Sequence, residues 1–348
     1  MTTGSVRVRS AGCLVQIESQ VPTIARSLTD ATCGATVAAG GAPMAPDVLL
    51  RIERSRRPFD TAGMRPVTRG CWSDIAGRTV IEDAGGSGFS QLWLAGGDSL
   101  EVRTRWTPTV LASAAARAMP TRFRLLRAQV LLHYPALWWS MVAASTAPVH
   151  VSAVELQGVG VILAGPGGVG KSTLVAAELA AGHTATCDNL AVTDGHVVHG
   201  VNEALRLPRQ AGASGQSAHG FPQPGARATH GRTEHPWPQR VDEVVPAMVV
   251  VVRRGGLRSP SALPVDAACR ALVAGTYAAG ELRRYWSLVA TLALATGRGP
   301  AHPAVAQLAA TLVGSVPCFQ LDLGTEPGAR LSELLAEPLS VVGRRSAS

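Results

Sequence analysis

Over the first 110 positions apolar and polar residues alternate in short runs. SVRVRS (5–10), LVQIES (14–19), RTVIED (78–83) and SLEVRTRW (99–106) are separated by Gly- and Pro-containing turns. Alternation with a period of two predicts half-buried strands, so residues 1–110 are expected to form a mainly β N-terminal region. From about 109 to 146 the pattern turns helical, in TVLASAAARAM and RFRLLRAQVLLHYPALWWSMVAA, with Pro120 and Pro135 as punctuation. HVSAVELQGVGVILAG (150–165) holds two apolar runs around a Gly-containing turn and predicts a hairpin. TATCDNLAVTDGHVVHGV (184–201) predicts short strands with a tight turn at Asp194-Gly195. PAMVVVVRR reads as a buried strand, and VDAACRALVAGTYAAGELRRYWSLVATLALATG and HPAVAQLAATLVGSV read as helices. PCFQLDLG predicts a last strand. Between them, residues 209–240 are polar and rich in Gly and Pro, with Phe221 and Trp237 as the large apolar groups. A structureless stretch this long predicts disorder or a functional lid. The expected division is an N-terminal region over 1–110 and a second domain over 111–348.

Composition narrows the class. The chain has 348 residues, 46% apolar and 16% charged, as expected of a globular protein with ample chain for a core. The formal net charge of +8 comes from scattered arginines without a nucleic-acid recognition motif, so nucleic acid is not an expected partner. The six cysteines are far apart and show no metal-ligand spacing, which predicts reduced thiols. His219, His230 and His235 lack a regular metal spacing too. The N-terminus has no apolar core of the signal-peptide kind, and VLLHYPALWWSMVAAS is too short and interrupted to span a bilayer. A cytoplasmic protein without a membrane partner is expected; its oligomeric state, homo-oligomer included, stays open.

One residue changes the picture. Lys171 is the single lysine, and every other basic side chain counted among the 32 is arginine. It lies in Gly165-Pro-Gly167-Gly168-Val169-Gly170-Lys171-Ser172-Thr173, which satisfies GxxxxGK[ST] between the apolar run VGVILA and the helix former STLVAAELAA. That strand–loop–helix setting is the one a phosphate-binding loop requires. Glycines let consecutive N–H groups turn toward an anion, and the helix N-terminus adds partial positive charge. A slim ammonium reaches between phosphates where the planar fork of arginine does not. ATP is therefore the expected ligand of residues 165–173, with Lys171 on the β- and γ-phosphates and Ser172 on Mg²⁺. No NKxD guanine motif and no LSGGQ signature occur, which excludes GTPases and ABC ATPases.

Asp188 comes only a short strand after the helix end at Gly182. The order His-containing strand, hairpin, GxxGxGKS-type loop and GH…D segment, here VHVSAVELQGVGVILAGPGGVGKSTLVAAELAAGHTATCDNL, resembles the HPr kinase family, relatives of phosphoenolpyruvate carboxykinase. The resemblance covers roughly residues 148–208. It implies an α/β P-loop nucleotide-binding core, preceded here by a mainly β plus helical N-terminal region. It also implies that Asp188 is the general base for a serine hydroxyl and that His150 lies near it. Asn189 stands where the family has a second, metal-binding aspartate, and Thr173 where HPr kinases have an acidic residue. Arg206 offers a charge clamp for the phosphates or is a plain surface arginine, and His150 is equally readable as a structural histidine.

The expected activity is an ATP- and Mg²⁺-dependent serine kinase acting on a Ser or Thr hydroxyl of a peptide or small protein. Among HPr kinase-like enzymes the resemblance is to lasso-peptide tailoring kinases. Two alternatives stand beside it: a kinase for free serine or another small hydroxyl metabolite, and a nucleotide-binding regulator without catalysis.

Overall fold

The computed structural model describes residues 4–32, 44–208, 226–229, 231–324 and 330–346. The chain divides into two compact units, one reaching to Ser145 and taking back Glu281–Pro303, the other made of Thr146–Gly280 and Ala304–Ser348.

The first unit begins with β1 (Gly4–Ser10), β2 (Cys13–Ser19), α1 (Pro22–Ala31), β3 (Val48–Glu53) and β4 (Arg65–Thr68). It continues with β5 (Cys71–Ser73), β6 (Thr79–Ile81), β7 (Phe89–Ala95) and β8 (Leu100–Trp106). These strands form one sheet in the order β1-β2-β3-β8-β7-β6-β5-β4. Only the β2–β3 and β3–β8 pairs are parallel; the others are antiparallel. Next come three helices, α2 (Val110–Ala118), α3 (Pro120–Ala128) and α4 (Tyr134–Ala144). The boundary expected after residue 110 is corrected here to 145. Apolar packing is the reason: α3 lies against α1, α4 lies against β2 and β3, and Trp138 meets Trp93 edge-on at 5.5 Å. Pro135 does not break the helical run, because it falls in the first turn of α4 behind a π-helical turn, Gln129–His133. The proline has no N–H to give the π-helical turn, and the Val130 carbonyl, five residues before it, accepts from Gln91 Nε2 at 3.1 Å instead.

The second unit carries β9 (Ala147–Val149), β10 (Ser152–Leu156), β11 (Val159–Ala164), α5 (Lys171–Ala180), β12 (Thr184–Cys187), β13 (Ala191–Thr193) and β14 (Val198–Gly200). Then come β15 (Leu205–Pro208), β16 (Ala226–Arg227), β17 (Arg232–His235), β18 (Glu243–Val244), β19 (Met248–Arg253), β20 (Gly255–Ala262) and α6 (Val265–Ala278). The next helix, α7 (Arg283–Thr296), belongs to the first unit and packs on β4, β5 and β6. The second unit resumes with α8 (Val305–Gly314), β21 (Cys318–Gly324), α9 (Leu331–Leu334) and α10 (Ala336–Ser346).

Its main sheet runs β12-β10-β11-β19-β21-β20, with β11, β19 and β21 parallel. Both faces are covered. Val161, Leu163, Val250 and Val252 pack with Leu174, Val175 and Leu179 of α5 and with Leu335 and Leu339. Ile162, Ala164, Val249 and Val251 pack with Leu272 of α6 and Leu312 of α8. A strand buried on two faces has no polar side, which is why VGVILA and MVVVV read as unbroken apolar runs.

Two smaller sheets, β18-β14-β13-β9 and β15-β17-β16, complete the unit. The second corrects the expectation of a structureless stretch over 209–240. Within it, β17 pairs antiparallel with β15 so that Arg206 faces Glu234. RTEH has no apolar alternation to betray a strand; main-chain pairing and that cross-strand charge pair hold it. Residues 209–225 and 230, with His219, Phe221 and His230, lie outside the described residues. Among the described residues no helix is long and apolar enough to cross a membrane. Cys13, Cys71, Cys187, Cys269 and Cys318 are unbridged thiols.

Candidate active site

The parallel strands β11 and β19 end side by side, and the chain leaves β11 through the loop 165–170 straight into α5. Ligands of α/β sheets bind at such carboxyl ends. Gly165 takes φ +134°, and a Cβ there would lie 2.6 Å from the Val252 carbonyl oxygen. Any side chain would push the loop off the neighbouring strand. Gly168 and Gly170 also have positive φ, while Val169 turns inward and joins the core beneath α5. Gly167, Gly168 and Thr173 face solvent. No side chain caps the N-terminus of α5, so its positive end opens on the loop.

Lys171 does not extend into water. Its Nζ donates to the Gly165 carbonyl at 2.7 Å and to the Pro166 carbonyl at 3.2 Å, and the side chain is only 5% exposed. The ammonium is thereby held over the loop.

Asp188 arrives from the other side. β12 pairs with β10, but the register slips by one between Ala153 and Val154, leaving Thr186 as a bulge. Thr186 is pinned by donating its hydroxyl to the Asp242 carbonyl and accepting from the Gly200 N–H. A bulge re-aims the residues immediately beyond it. Here Asp188 is turned to a buried position where its carboxylate accepts from Ser152 Oγ at 3.2 Å and is hydrogen bonded by the Ser172 side chain. Burial pushes this carboxyl up to about 7, helped by the nearby Glu203 carboxylate. Ser172, Ser152 and Lys171 pull the other way.

Beside Asp188 lies a chain of buried polar groups. Asn189 Nδ2 donates to Glu203 Oε1 at 2.9 Å, and Asn189 Oδ1 meets His150 Nε2 at 3.1 Å. Because that oxygen must accept, His150 Nε2 carries a proton and donates it to the Asn189 amide oxygen. Glu203 is also gripped by Arg206 Nη2 at 2.7 Å, and Arg206 Nε lies 3.8 Å from Glu234 Oε1. Trp237 Nε1 donates to the Glu203 carbonyl at 2.6 Å.

The structure brings Lys171, Ser172 and Asp188 together, with Asn189 next in the chain and His150 hydrogen bonded to it. Arg206, offered by the sequence as a phosphate clamp or a surface arginine, is mostly buried here and pairs with Glu203 and Glu234. Glu203 and Ser152 escaped the sequence reading. Glu203 lies 14 residues from the amide it meets, across a hairpin, and no spacing rule links the two. Ser152 had a signal: it is a polar residue on the stripe that continues with Val154 and Leu156 into the core. A buried hydroxyl there demands a partner.

Ser172, Asp188, Asn189 and Glu203 present hard oxygen donors, the kind Mg²⁺ takes. Among the described residues no group of three His, Cys, Asp or Glu is placed to hold a metal ion. A cation here would complete its shell from phosphate and water, the usual habit of Mg²⁺.

No protein-family model matches the chain, and no curated protein matches it. Among solved structures, the Hpr(Ser) kinase/phosphatase from Coxiella burnetii is similar over 57% of this chain and 95% of its own, at 12% identity and a TM-score of 0.27. At that score neither fold nor activity transfers.

Proposed function

We propose that the second unit is an ATP-dependent kinase that phosphorylates a Ser or Thr hydroxyl. One observation carries the reading: a buried carboxylate, Asp188, is hydrogen bonded to Ser172 in the first turn of the helix that the Lys171 loop opens. A Gly-rich loop with an uncapped helix end suits phosphates, and a buried carboxylate beside it suits the removal of a proton.

In the reaction, ATP lies with its phosphates on 165–173, and Lys171 exchanges its two loop carbonyls for phosphate oxygens. The acceptor hydroxyl gives its proton to Asp188 as its oxygen attacks the γ-phosphorus in line. The bond to the β-phosphate oxygen breaks and ADP leaves with that electron pair. Mg²⁺ would be held by Ser172 with Glu203 and Asn189 nearby, and would neutralise charge on the phosphates. Arg206 and Asn189 hold the Glu203 carboxylate in place, and His150 fixes the Asn189 amide.

We take the acceptor to be a Ser or Thr in a peptide or small protein, of the kind tailored in lasso-peptide biosynthesis. The support is the polar, arginine-punctuated composition of 209–240, which suits an extended chain better than a small metabolite. Radiolabelled ATP offered with serine-containing peptides and with free serine tests both levels. Label on peptide is the expected result. Label on free serine alone transfers the reading to a small-molecule kinase, and tight ATP binding with no transfer to either makes the protein a nucleotide-binding regulator.

A further inference from the structure

The carboxylate of Asp188 is held by two serines of different origin. Ser172 comes from the first turn of α5, and Ser152 from β10. Ser152 is fully buried, and its Oγ lies 2.9 Å from the Asp188 carbonyl oxygen and 3.2 Å from Oδ1. It thus grips both the backbone and the side chain of the same residue, directly after the bulge at Thr186. The neighbours on its stripe, Val154 and Leu156, are core residues with no polar atom to offer. A hydroxyl with one proton and two acceptors in reach can shift between them without moving a heavy atom.

The two serines have different fates on the kinase reading, on which this inference rests. Ser172 is the hydroxyl drawn to the cation when nucleotide binds. The hydrogen bond it gives Asp188 is then lost, and the hydroxyl left on the carboxylate is that of Ser152. We propose that Ser152 is the positioning residue for the catalytic carboxylate: it holds the Asp188 side chain toward the acceptor while Ser172 is engaged elsewhere. Ser152 touches no reacting atom. Its strand is fixed in the main sheet between β11 and β12, so the orientation it imposes is set by the fold and not by the ligand.

Ser152→Ala is expected to lower kcat for label transfer from ATP by about 10- to 100-fold, the range for one hydrogen bond to a charged group. The KM for ATP should stay within about threefold, because the loop and Lys171 are untouched. A structural role alone would not give this split, nor would it give non-additivity with Asp188. In an Asp188→Asn background the same serine substitution should change the residual rate by less than about twofold, since the two residues act through one orientation. Additive losses overturn the proposal, as does a Ser152→Ala enzyme with wild-type kcat. Crystal structures of wild type and Ser152→Ala, each with a non-hydrolysable ATP analogue and Mg²⁺, give an answer that needs no turnover. The carboxylate is expected to swing away from its wild-type orientation in the variant; an unchanged Asp188 rotamer overturns the proposal. Phosphate found on Ser152 itself by mass spectrometry would make it an acceptor and overturn the positioning role. Absence of any transfer by the wild type counts against the kinase reading, and the crystallographic pair still decides the role of Ser152.

Discussion

The side-chain amide of Asn189 donates to the carboxylate of Glu203 at 2.9 Å, and the far side of that carboxylate is held by Arg206 at 2.7 Å. An amide at this position lets a buried glutamate approach without like-charge repulsion. Asn189→Asp would bring two carboxylates into contact in a buried setting, which is unfavourable unless a cation or proton lies between them. The metal-free variant is expected to melt about 3–6 °C below wild type, the equivalent of roughly 1–2 kcal/mol in a unit of this size. Saturating Mg²⁺ with ADP should recover most of the loss by mass action. Thermal melts with EDTA and with Mg²⁺–ADP check this. A variant that melts with wild type in EDTA would show that residue 189 lies apart from Glu203.

Lys171 sits within its own loop, 2.7 Å from the Gly165 carbonyl, in a nearly closed site. Lys171→Ala is expected to remove most affinity for ATP. Lys171→Arg should be nearly as damaging, since the planar guanidinium has no room between the two loop carbonyls and cannot slide between phosphates. Isothermal calorimetry with ATP and Mg²⁺ measures both. Wild-type affinity in the alanine variant would mean the loop holds no phosphate.

Gly165 and Gly167 make a matched pair. A Cβ on Gly165 lies 2.6 Å from the Val252 carbonyl, at φ +134°, while a Cβ on Gly167 meets nothing within 4 Å. Gly165→Ala is expected to destabilise the protein by more than about 2 kcal/mol, whereas Gly167→Ala should stay within about 0.5 kcal/mol. Urea denaturation of the two variants compares them directly. Equal midpoints would mean that the loop is free to move off β19.

These sites show why part of the molecule was legible in sequence. The run VGVILA-GPGGVGKS declares a buried strand, a turn and a helix by local rules, and Asp188 emerges from a count of residues along one short connection. The hidden part depends on pairing at a distance. Glu203 looks like any charged residue until β13 and β14 bring it back to Asn189. Arg206 looks like a clamp or a surface arginine until β17, polar throughout, pairs with its strand. The helices after residue 110 read correctly as helices, yet nothing local says that Trp138 packs against Trp93. The single run over 265–296 conceals a break at 279–282, after which α7 joins the other unit.

Asp188 ties stability to function through its proton. Its carboxyl is pushed up to about 7 in the folded protein, from 3.8 when unperturbed, chiefly by burial. The folded state therefore binds this proton more tightly than the unfolded chain does. Its contribution is fully present below about pH 4 and is lost as pH rises through 7. With EDTA present, wild type should lose stability over that window by a few kcal/mol at most. Asp188→Asn, which cannot ionise, should lack this part of the slope, so its advantage in melting temperature over wild type should grow from pH 4 to pH 8. The same variant should bind ATP nearly normally and transfer phosphate about 10²- to 10⁴-fold more slowly, the usual contribution of a general base. Melting curves across pH and single-turnover rates measure the two effects on the same samples. Parallel pH curves for variant and wild type would place the carboxyl in water, and an undiminished rate would assign the base to another residue.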